Sequence, residues 1–423
     1  MLTPRRIWKR CADMDVRAKG FSERAGINDA LDRLLKRVKT LEAEEVDLVD
    51  CLGRVLAEDL AAQTDVPPFD RAAMDGYALK GENTFGASQG NPLYFKVKGE
   101  VMPGMSLDLS IKDYEAVKIM TGAPLPRGAN AVAMFEFVRE LGEEIEVVKA
   151  VTPGKNVSRR GEDVKKGDLL LKKGKRLKPQ DVGLMAALGI DRVLVGKMPR
   201  VGIIATGDEL VEPGKSLGGA EIYDANSYSI LSMVKRDGGL PRLYGIVRDD
   251  YNSLKETVEK ALREDVVIIS GATSVGERDF VPQIVSEIGD IVFHGVAMRP
   301  GEPTGAGFAG DKVVFMLPGY PVAAIFAYET FVRPALEKML GQKGEERYHK
   351  VRGRLSRRVA SELGRRDYVR VRLLPTEEEL QVEPLMVKGS GVITSLVKAD
   401  GFVVIPENTE GIEEGSTVEV NLF

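Results

Sequence analysis

The sequence is poor in the residues that most metal sites and many hydrolytic sites need. Two cysteines, Cys11 and Cys51, and two histidines, His294 and His349, occur among 423 residues. Two cysteines are too few for a disulfide framework or a cysteine zinc cluster. Two histidines make a histidine metal site or a Ser-His-Asp catalytic triad a poor explanation of any activity. Any chemistry must therefore depend on carboxylates, hydroxyls, basic side chains and backbone groups. The low cysteine content also predicts a reducing compartment.

Long apolar runs and an excess of one charge are missing as well. No apolar stretch reaches the roughly 18 residues of a membrane span, and no apolar run follows the basic start of the chain. Lysine and arginine number 60 against 64 acidic residues, so the formal net charge is −4. No overall field would attract nucleic acid or an anionic membrane. We expect a cytoplasmic protein that binds neither, and local groups that hold any anionic substrate.

A chain of 423 residues is expected to fold into two to four domains. Helical periodicity predicts helices over residues 27–39, 51–60, 179–188 and 321–331, the last ended or kinked by Pro334. Short alternating runs between Gly and Pro predict an inserted β domain and a terminal β barrel or sandwich. The predicted division is a basic tail (1–20), a discontinuous helical linker domain (21–60 and 165–198), an inserted small β domain (61–164), an α/β domain (199–343) and a C-terminal β-barrel domain (344–423).

Strand and helix patterns alternate between residues 199 and 343, which predicts a doubly wound α/β domain. Its central strand is predicted at Val266–Ser270, and small residues follow from Gly271 to Gly276. Ligands of open parallel sheets bind beyond such strand ends. Small residues also let a phosphate or another oxyanion approach backbone N–H groups. The alternative is a flexible turn that binds nothing.

Acidic residues follow the ends of three predicted strands. These groups are Asp208 and Glu209 with Thr206, Asp249 and Asp250 with Arg248, and Glu277 with Asp279. Because parallel strands end at one edge of a sheet, the acids are expected to converge, and Mg²⁺ bound to phosphate oxygens would use such carboxylates. Asp250 is instead expected to cap the following helix. No G-x-G-x-x-G follows the first strand, which argues against a nicotinamide dehydrogenase.

Eight motifs occur in the order found in one enzyme family. They are MDGYAL, IMTGAPLP, RRGEDV, IATGDEL, IYDAN, SVGERD, MRPGEPT and LPGYPVAA. From Phe21 to Phe423 the chain resembles the molybdopterin molybdenumtransferases, the family of MoeA and of the C-terminal region of gephyrin. The resemblance implies an elongated homodimer that inserts molybdate into adenylylated molybdopterin with Mg²⁺-dependent release of AMP. It also implies a molybdopterin-binding α/β domain and the upstream adenylyltransferase as a partner.

The resemblance further implies roles for single residues. Catalytic roles fall to Asp75, Thr121, Asp163, Glu209 and Asp249, and the first three would come from the β domain of the partner subunit. Metal ligation falls to Glu209, Asp249 and Asp279. Binding of the pterin substrate and its phosphates falls to Thr206, Gly207, Asp208, Gly271, Ser274, Gly276, Arg299, Pro300, Pro318 and Pro321. Without the resemblance, Thr121 is a turn residue and the charged residues 159–163 are a solvated cluster.

The sequence departs from the family pattern at two positions. The family's K-P-G-K-P reads Arg299-Pro300-Gly301-Glu302-Pro303, and its LPGNP reads LPGYP with Tyr320. An acid therefore replaces a cation, which leaves the choice between molybdate and tungstate open. Two other functions stay open as well, a nucleotide pyrophosphatase or adenylyltransferase on the same α/β domain, and a scaffold protein. AMP release that depends on the oxyanion would distinguish them.

Overall fold

The computed structural model describes residues 24–105, 109–271, 280–343, 347–377, 379–385 and 389–423, so the predicted tail lies outside the described residues. Helix α1 (Ile27–Arg37) confirms the first predicted helix. Its apolar face packs Ala30 and Leu34 into the core of the α/β region. The strands that follow are β1 (Ala43–Asp47), β2 (Leu60–Ala61) and β3 (Arg71–Ala72).

The inserted β region is a six-stranded sheet in the order β7-β4-β6-β5-β9-β8. Its strands are β4 (Gly76–Leu79), β5 (Leu93–Val101), β6 (Glu115–Ile119), β7 (Ala131–Met134), β8 (Val138–Leu141) and β9 (Glu144–Val147), and β10 (Val157–Ser158) pairs with β3. Separate apolar clusters form around Ile119 and Ile145. Because each cluster is buried, the region has a core of its own, as the alternating pattern predicts. The domain boundaries stay a prediction.

The chain then returns to the strands that precede the insertion. Strand β11 (Leu169–Leu171) pairs with β2, helix α2 covers Pro179–Ala187, and β12 (Arg192–Gly196) pairs with β1.

The helix predicted over residues 51–60 is wrong. The backbone N–H groups of Gly53 and Leu56 donate to carbonyls of Leu177 and Lys175, and Gly53 has φ +75°. A helix needs those donors for itself, so distant partners override the local periodicity.

The α/β region confirms the predicted alternation of strands and helices. Its elements are β13 (Arg200–Thr206), β14 (Leu210–Val211), β15 (Ile222–Tyr223), α3 (Asn226–Arg236), β16 (Leu240–Val247), α4 (Tyr251–Ala261), β17 (Val266–Ser270), α5 (Val281–Ile288), β18 (Asp290–His294), β19 (Met298–Arg299), β20 (Gly305–Ala309), β21 (Lys312–Leu317), α6 (Pro321–Ala327) and α7 (Arg333–Met339). The six-stranded sheet has the order β16-β13-β17-β21-β20-β18, with the first four strands parallel. Helices cover both faces, since one cluster joins α3, α6 and α7 to the sheet and another joins α4 and α5 to it.

Two details of this region differ from the prediction. Strand β20 has the sequence Gly-Ala-Gly-Phe-Ala, which carries little strand propensity. A Cβ at Gly307 would lie 2.6 Å from the carbonyl oxygen of Asp290, so close packing explains the small residues. The helix also does not end at Pro334, which was one of the two predicted alternatives, because a π-helical turn over Tyr328–Val332 precedes it. Such a turn removes the need for the N–H group that proline lacks.

The C-terminal region confirms the predicted barrel. Its elements are β22 (Lys350–Leu355), β23 (Val359–Ala360), β24 (Arg366–Pro375), β25 (Leu380–Pro384), α8 (Thr394–Val397), β26 (Gly401–Ile405), β27 (Gly411–Ile412) and β28 (Thr417–Leu422). Five strands close in the order β24-β25-β22-β28-β26, because β26 pairs back to β24. Strand β19 of the α/β region pairs with β24, so this ladder joins the two regions. Within the described part of the chain, no helix combines the length and the apolar character that a membrane span requires.

Candidate active site

The ends of the parallel strands β13 and β17 approach each other closely at Gly271. Its φ is +112°, and a Cβ there would lie 2.0 Å from the carbonyl oxygen of Thr206. Only glycine fits this position, because a side chain would meet both an unfavourable φ and a backbone oxygen. The site therefore begins with a fixed turn. It lies between β13 and β17, where the direction of the connections changes: α3 connects β13 to β16 on one side, and α4 connects β16 to β17 on the other side of β13.

Replacement of Gly271 by alanine is expected to destabilise the fold by about 3 kcal/mol, from strain and overpacking together. Urea denaturation of the purified protein measures this. The matched control is Gly183→Ala in helix α2, where no atom outside the local helix backbone lies within 4 Å of the new Cβ. That variant should be slightly more stable than the wild type, by roughly 0.5–1 kcal/mol. Equal stabilities of the two variants would contradict the close approach.

A cavity of about 540 Å³ opens beyond these strand ends and is called here the strand-end cavity. Five of the predicted site residues that the structure describes line it: Thr206, Glu209, Gly271, Pro318 and Pro321. Its volume suits a ligand of the size of a nucleotide or a pterin. The structure thus brings these five residues together. Gly207 and Asp208 lie between Thr206 and Glu209 in the loop after β13, but they line neither this cavity nor the second cavity described below.

Asn226, at the start of α3, is a cavity residue that the sequence analysis missed. Its side-chain Nδ2 donates to Ser270 Oγ and to the carbonyl oxygen of Gly319, both at 2.8 Å. The Gly319 bond requires the amide nitrogen, so the orientation of the side chain is determined. Its Oδ1 is buried and accepts no hydrogen bond from a described residue. A ligand donor in the cavity could satisfy this oxygen. The IYDAN motif, which ends at Asn226, was the available signal.

The acidic residues at the strand ends have different surroundings. Thr206 Oγ1 donates to Asp249 Oδ1 at 2.6 Å, and the backbone N–H of Asp249 donates to Asp208 Oδ1 at 3.3 Å. Glu209 is exposed, and its carboxylate has no hydrogen bond or ion pair with a described residue. Asp250 accepts from the backbone N–H of Ser253 at 2.8 Å, which lowers the pKa of its carboxyl and confirms the predicted helix cap.

Full convergence of the strand-end acids on one metal position is not seen in the described residues, which contain no group of three acidic, histidine or cysteine side chains that could hold an ion. Ser274, Gly276 and Asp279, predicted to bind phosphate or metal, lie outside the described residues.

A second cavity, of about 760 Å³, lies between the α/β region and the barrel and is called here the arginine cavity. The predicted residues Arg299, Pro300 and Pro318 line it. The two cavities adjoin, since Pro303, Pro318 and Tyr320 line both.

Five charged side chains of the described residues line the arginine cavity: Arg299, Arg365, Arg370, Glu302 and Asp367. Asp367 is buried and accepts hydrogen bonds from Arg299, from Arg365 Nε at 3.1 Å and from Ser361 Oγ at 2.8 Å. Two of the three arginines are therefore oriented by one carboxylate.

Arg370, like Arg365 and Asp367, is a residue of the arginine cavity that the sequence analysis did not single out. It lies on β24, only 8% of its surface is exposed, and its Nε has no hydrogen-bond partner in the described part of the chain. Among the described residues, none forms an ion pair with it. Burial lowers the pKa of its guanidinium. A buried charge without a partner is costly, so an anion in the cavity is the natural counterpart.

The inserted β region holds the remaining predicted residues. Asp75 precedes β4, and its Oδ1 accepts from the backbone N–H of Thr121 at 2.7 Å and from the Thr121 hydroxyl at 2.8 Å. These two bonds, the backbone one first, lower the pKa of the Asp75 carboxyl. Asp163 is exposed, beside a cluster in which Arg159 and Arg160 bond to Asp70. The cluster thus fastens the loop before β3.

The structure does not bring these residues to the cavities within one chain. Among the described residues, neither cavity is lined by any residue of 61–164. Asp75, Thr121 and Asp163 are therefore separate from both cavities in a single copy of the chain.

Comparisons with known proteins agree along most of the chain. Three family models match: "MoeA N-terminal region (domain I and II)" over residues 25–189, "Probable molybdopterin binding domain" over 202–338, and "MoeA C-terminal region (domain IV)" over 352–423. The chain is 44% identical over 394 residues to a molybdopterin biosynthesis protein of Methanocaldococcus jannaschii, with 90% of this chain and 92% of the relative covered.

Two further relatives extend the comparison. The chain is 33% identical over 398 residues to a molybdopterin molybdenumtransferase of Staphylococcus aureus strain Mu50, with 94% of this chain and 95% of the relative covered. A crystal structure of the molybdopterin biosynthesis MoeA protein from Pyrococcus horikoshii OT3 matches with a TM-score of 0.82 and 37% identity, over 95% of this chain and 100% of that one.

Proposed function

The chain belongs to the MoeA family of molybdopterin molybdenumtransferases, enzymes of molybdenum cofactor biosynthesis, and we propose that it transfers the metal of molybdate to adenylylated molybdopterin with release of AMP. The observation that carries the proposal is Arg370, a buried guanidinium with no partner among the described residues, in the wall of the arginine cavity. A tetrahedral oxyanion supplies the acceptors that such a group lacks. Arg299, whose guanidinium donates to Asp367, lies on β19 of the α/β region and would bind the same anion from that side of the cavity.

The strand-end cavity takes the pterin and adenylate part of the substrate. Its position beyond β13 and β17, its volume of about 540 Å³ and its glycine turn support this assignment. The two cavities adjoin at Pro318 and Tyr320, so an oxyanion in one lies next to a substrate in the other. This proximity is what a transfer between two bound substrates requires.

Magnesium fits the strand-end acids as a cofactor shared with the substrate. Mg²⁺ is commonly bound by one or two carboxylates together with phosphate oxygens and water. Glu209 offers a carboxylate without a described partner, and Asp249 keeps one oxygen that does not accept from Thr206. When bound, the ion would neutralise charge on the phosphoanhydride. Asp249 is oriented for this role by the Thr206 hydroxyl.

Asp75 takes a proton from the water molecule whose oxygen attacks the phosphoanhydride, and AMP leaves as the bridging P–O bond breaks. Two hydrogen bonds from Thr121 hold its carboxylate in one orientation and favour the ionised form that accepts a proton. Asp75 acts across the interface of a homodimer on the cavities of the partner subunit, as the absence of residues 61–164 from the described cavity walls suggests. The adenylylated substrate would come from a separate adenylyltransferase, and the cytoplasm is the proposed location.

Release of AMP tests the function directly. The protein is mixed with adenylylated molybdopterin and Mg²⁺, with molybdate, with tungstate or with neither, and AMP is measured by chromatography. AMP is expected to appear only when Mg²⁺ and an oxyanion are both present. Equal release without an oxyanion would identify a pyrophosphatase and overturn the proposal. The two oxyanion arms also decide which metal the protein prefers.

Thr121→Val is expected to shift the acid side of the pH–rate profile to higher pH. The variant removes the hydroxyl donor and keeps the backbone donor, so the pKa of Asp75 rises towards its ordinary value. The ionised base is then lost at a higher pH as the solution is acidified, while activity near pH 7 changes little. Carbon NMR titration of the Asp75 carboxyl measures the pKa independently of activity. Thr121→Ser keeps the hydroxyl and should follow the wild type, so an equal shift in both variants would contradict this role.

A further inference from the structure

Two described acids line the arginine cavity, and one of them, Glu302, forms no ion pair with any described arginine of the cavity. Its Oε1 lies 2.8 Å from Nε of Arg24, which precedes α1 and does not line the cavity. The other acid, Asp367, accepts bonds from Arg299 and Arg365. Arg24 is therefore what neutralises the second negative charge beside the proposed oxyanion.

The backbone holds Arg24 in place against Glu302. The N–H of Ala25 donates to the Gly295 carbonyl at 3.0 Å, and the Ala25 carbonyl accepts from the N–H of Ala297 at 3.0 Å. The N–H of Val296, between those two residues, donates to the carbonyl of Glu302 at 2.8 Å. Residues 25, 296 and 302 are thus linked side by side. This connection keeps the two side chains within reach of each other.

We propose that Arg24 is a positioning residue of the oxyanion site, which holds the Glu302 carboxylate and prevents it from competing with the oxyanion. The proposal rests on the proposed function, since it assumes that the arginine cavity binds the oxyanion. Without Arg24, the Glu302 carboxylate would be a negative charge in the wall, free to pair with Arg299 or Arg370. It would then both repel the oxyanion and occupy its donors.

Direct binding of molybdate, measured by isothermal titration calorimetry at low ionic strength, tests the proposal. Arg24→Ala is expected to weaken binding about fivefold to tenfold, and Arg24→Lys about twofold or less, since charge effects of this size are ordinary for partly exposed groups. Glu302→Gln should bind at least as tightly as the wild type. In the Glu302→Gln background, Arg24→Ala should change the affinity less than twofold, because Arg24 acts through Glu302. Added salt should reduce the difference in molybdate affinity between Arg24→Ala and the wild type.

Arg33→Ala is the matched control. Arg33 pairs with Asp29 at 3.2 Å on α1, has an exposure of 45% against 43% for Arg24, and lines neither cavity. The Arg33→Ala substitution removes the same charge from the same part of the chain and should leave the affinity for molybdate unchanged. Thermal denaturation of each variant shows whether the fold is intact.

The outcomes separate this inference from the proposed function. An affinity of Arg24→Ala equal to that of the wild type, or an equal loss with and without Glu302, would overturn the role of Arg24. If Arg370→Ala binds molybdate as tightly as the wild type, the oxyanion does not use this cavity and the proposed function itself fails. If the effect of Arg24→Ala depends on Glu302 and Arg370→Ala binds molybdate weakly, both the role of Arg24 and the proposed function are supported.

Discussion

Arg370→Ala is expected to weaken molybdate binding about 100-fold, equivalent to about 2.7 kcal/mol, and to abolish oxyanion-dependent AMP release. The guanidinium is buried, has no described partner and lines the arginine cavity, so its hydrogen bonds are available to a ligand. Calorimetry with molybdate measures the affinity. Arg370→Lys keeps a point charge without the planar pair of donors and should fall between the wild type and the alanine variant.

The stability of Arg370→Ala distinguishes a binding role from a structural one. A structural arginine contributes bonds that alanine would lose, with a cost of several kcal/mol. Arg370 makes no such bond with a described residue, so its removal relieves a buried, unpaired charge. We expect the free energy of unfolding to stay within about 1 kcal/mol of the wild-type value or to rise. A large loss of stability with normal molybdate binding would contradict the proposed site.

Mixing two inactive variants should restore activity if one site combines residues of two subunits. Asp75→Ala damages the inserted β region, and Glu209→Ala damages the strand-end cavity. Glu209 is preferred to Asp249 for this purpose because Asp249 accepts a hydrogen bond from buried Thr206, whose loss could disturb the fold. Each variant alone should form inactive homodimers.

Equal amounts of the two chains, refolded together, should pair at random into about half heterodimers. Each heterodimer contains one intact site and one site with both substitutions. The mixture should therefore recover about a quarter of the wild-type activity per site. Differently tagged chains and two-step affinity purification confirm that heterodimers form. A purified heterodimer as inactive as its parents would mean that each site belongs to a single chain or that the two-subunit arrangement is wrong.

Two of the residues missed at the site, Arg370 and Asn226, show the limits of sequence reasoning. Arg370 occurs in the strand sequence Tyr-Val-Arg-Val-Arg, where alternation predicts an exposed charged side chain. The side chain is buried because β24 belongs to the closed barrel and faces the α/β region through its pairing with β19. Asn226 lies in a recognisable motif, yet its unpaired oxygen follows from the positions of Ser270 and Gly319, which are distant in sequence.

Local pattern was sufficient where a segment's own residues decide its structure. The alternation of strands and helices over residues 199–343, the buried strand β17, the inserted β region and the Asp250 cap were all predictable, because hydrophobic period and capping chemistry act over a few residues. Eight ordered motifs also indicated the family. The pairing of Asp75 with Thr121 required the fold, although both residues were named from the sequence.

Tertiary structure decided what depends on partners far along the chain. Residues 51–60 carry a helical period, but their backbone groups bond to Lys175, Leu177 and Leu194 instead. The five-residue β20 is a strand because its small side chains let β18 and β21 approach it on both sides. Arg24 meets Glu302 only because Ala25 is hydrogen-bonded to the segment beside it. In each case the decisive energy is a hydrogen bond, an ion pair or a close contact between segments that local propensity cannot register.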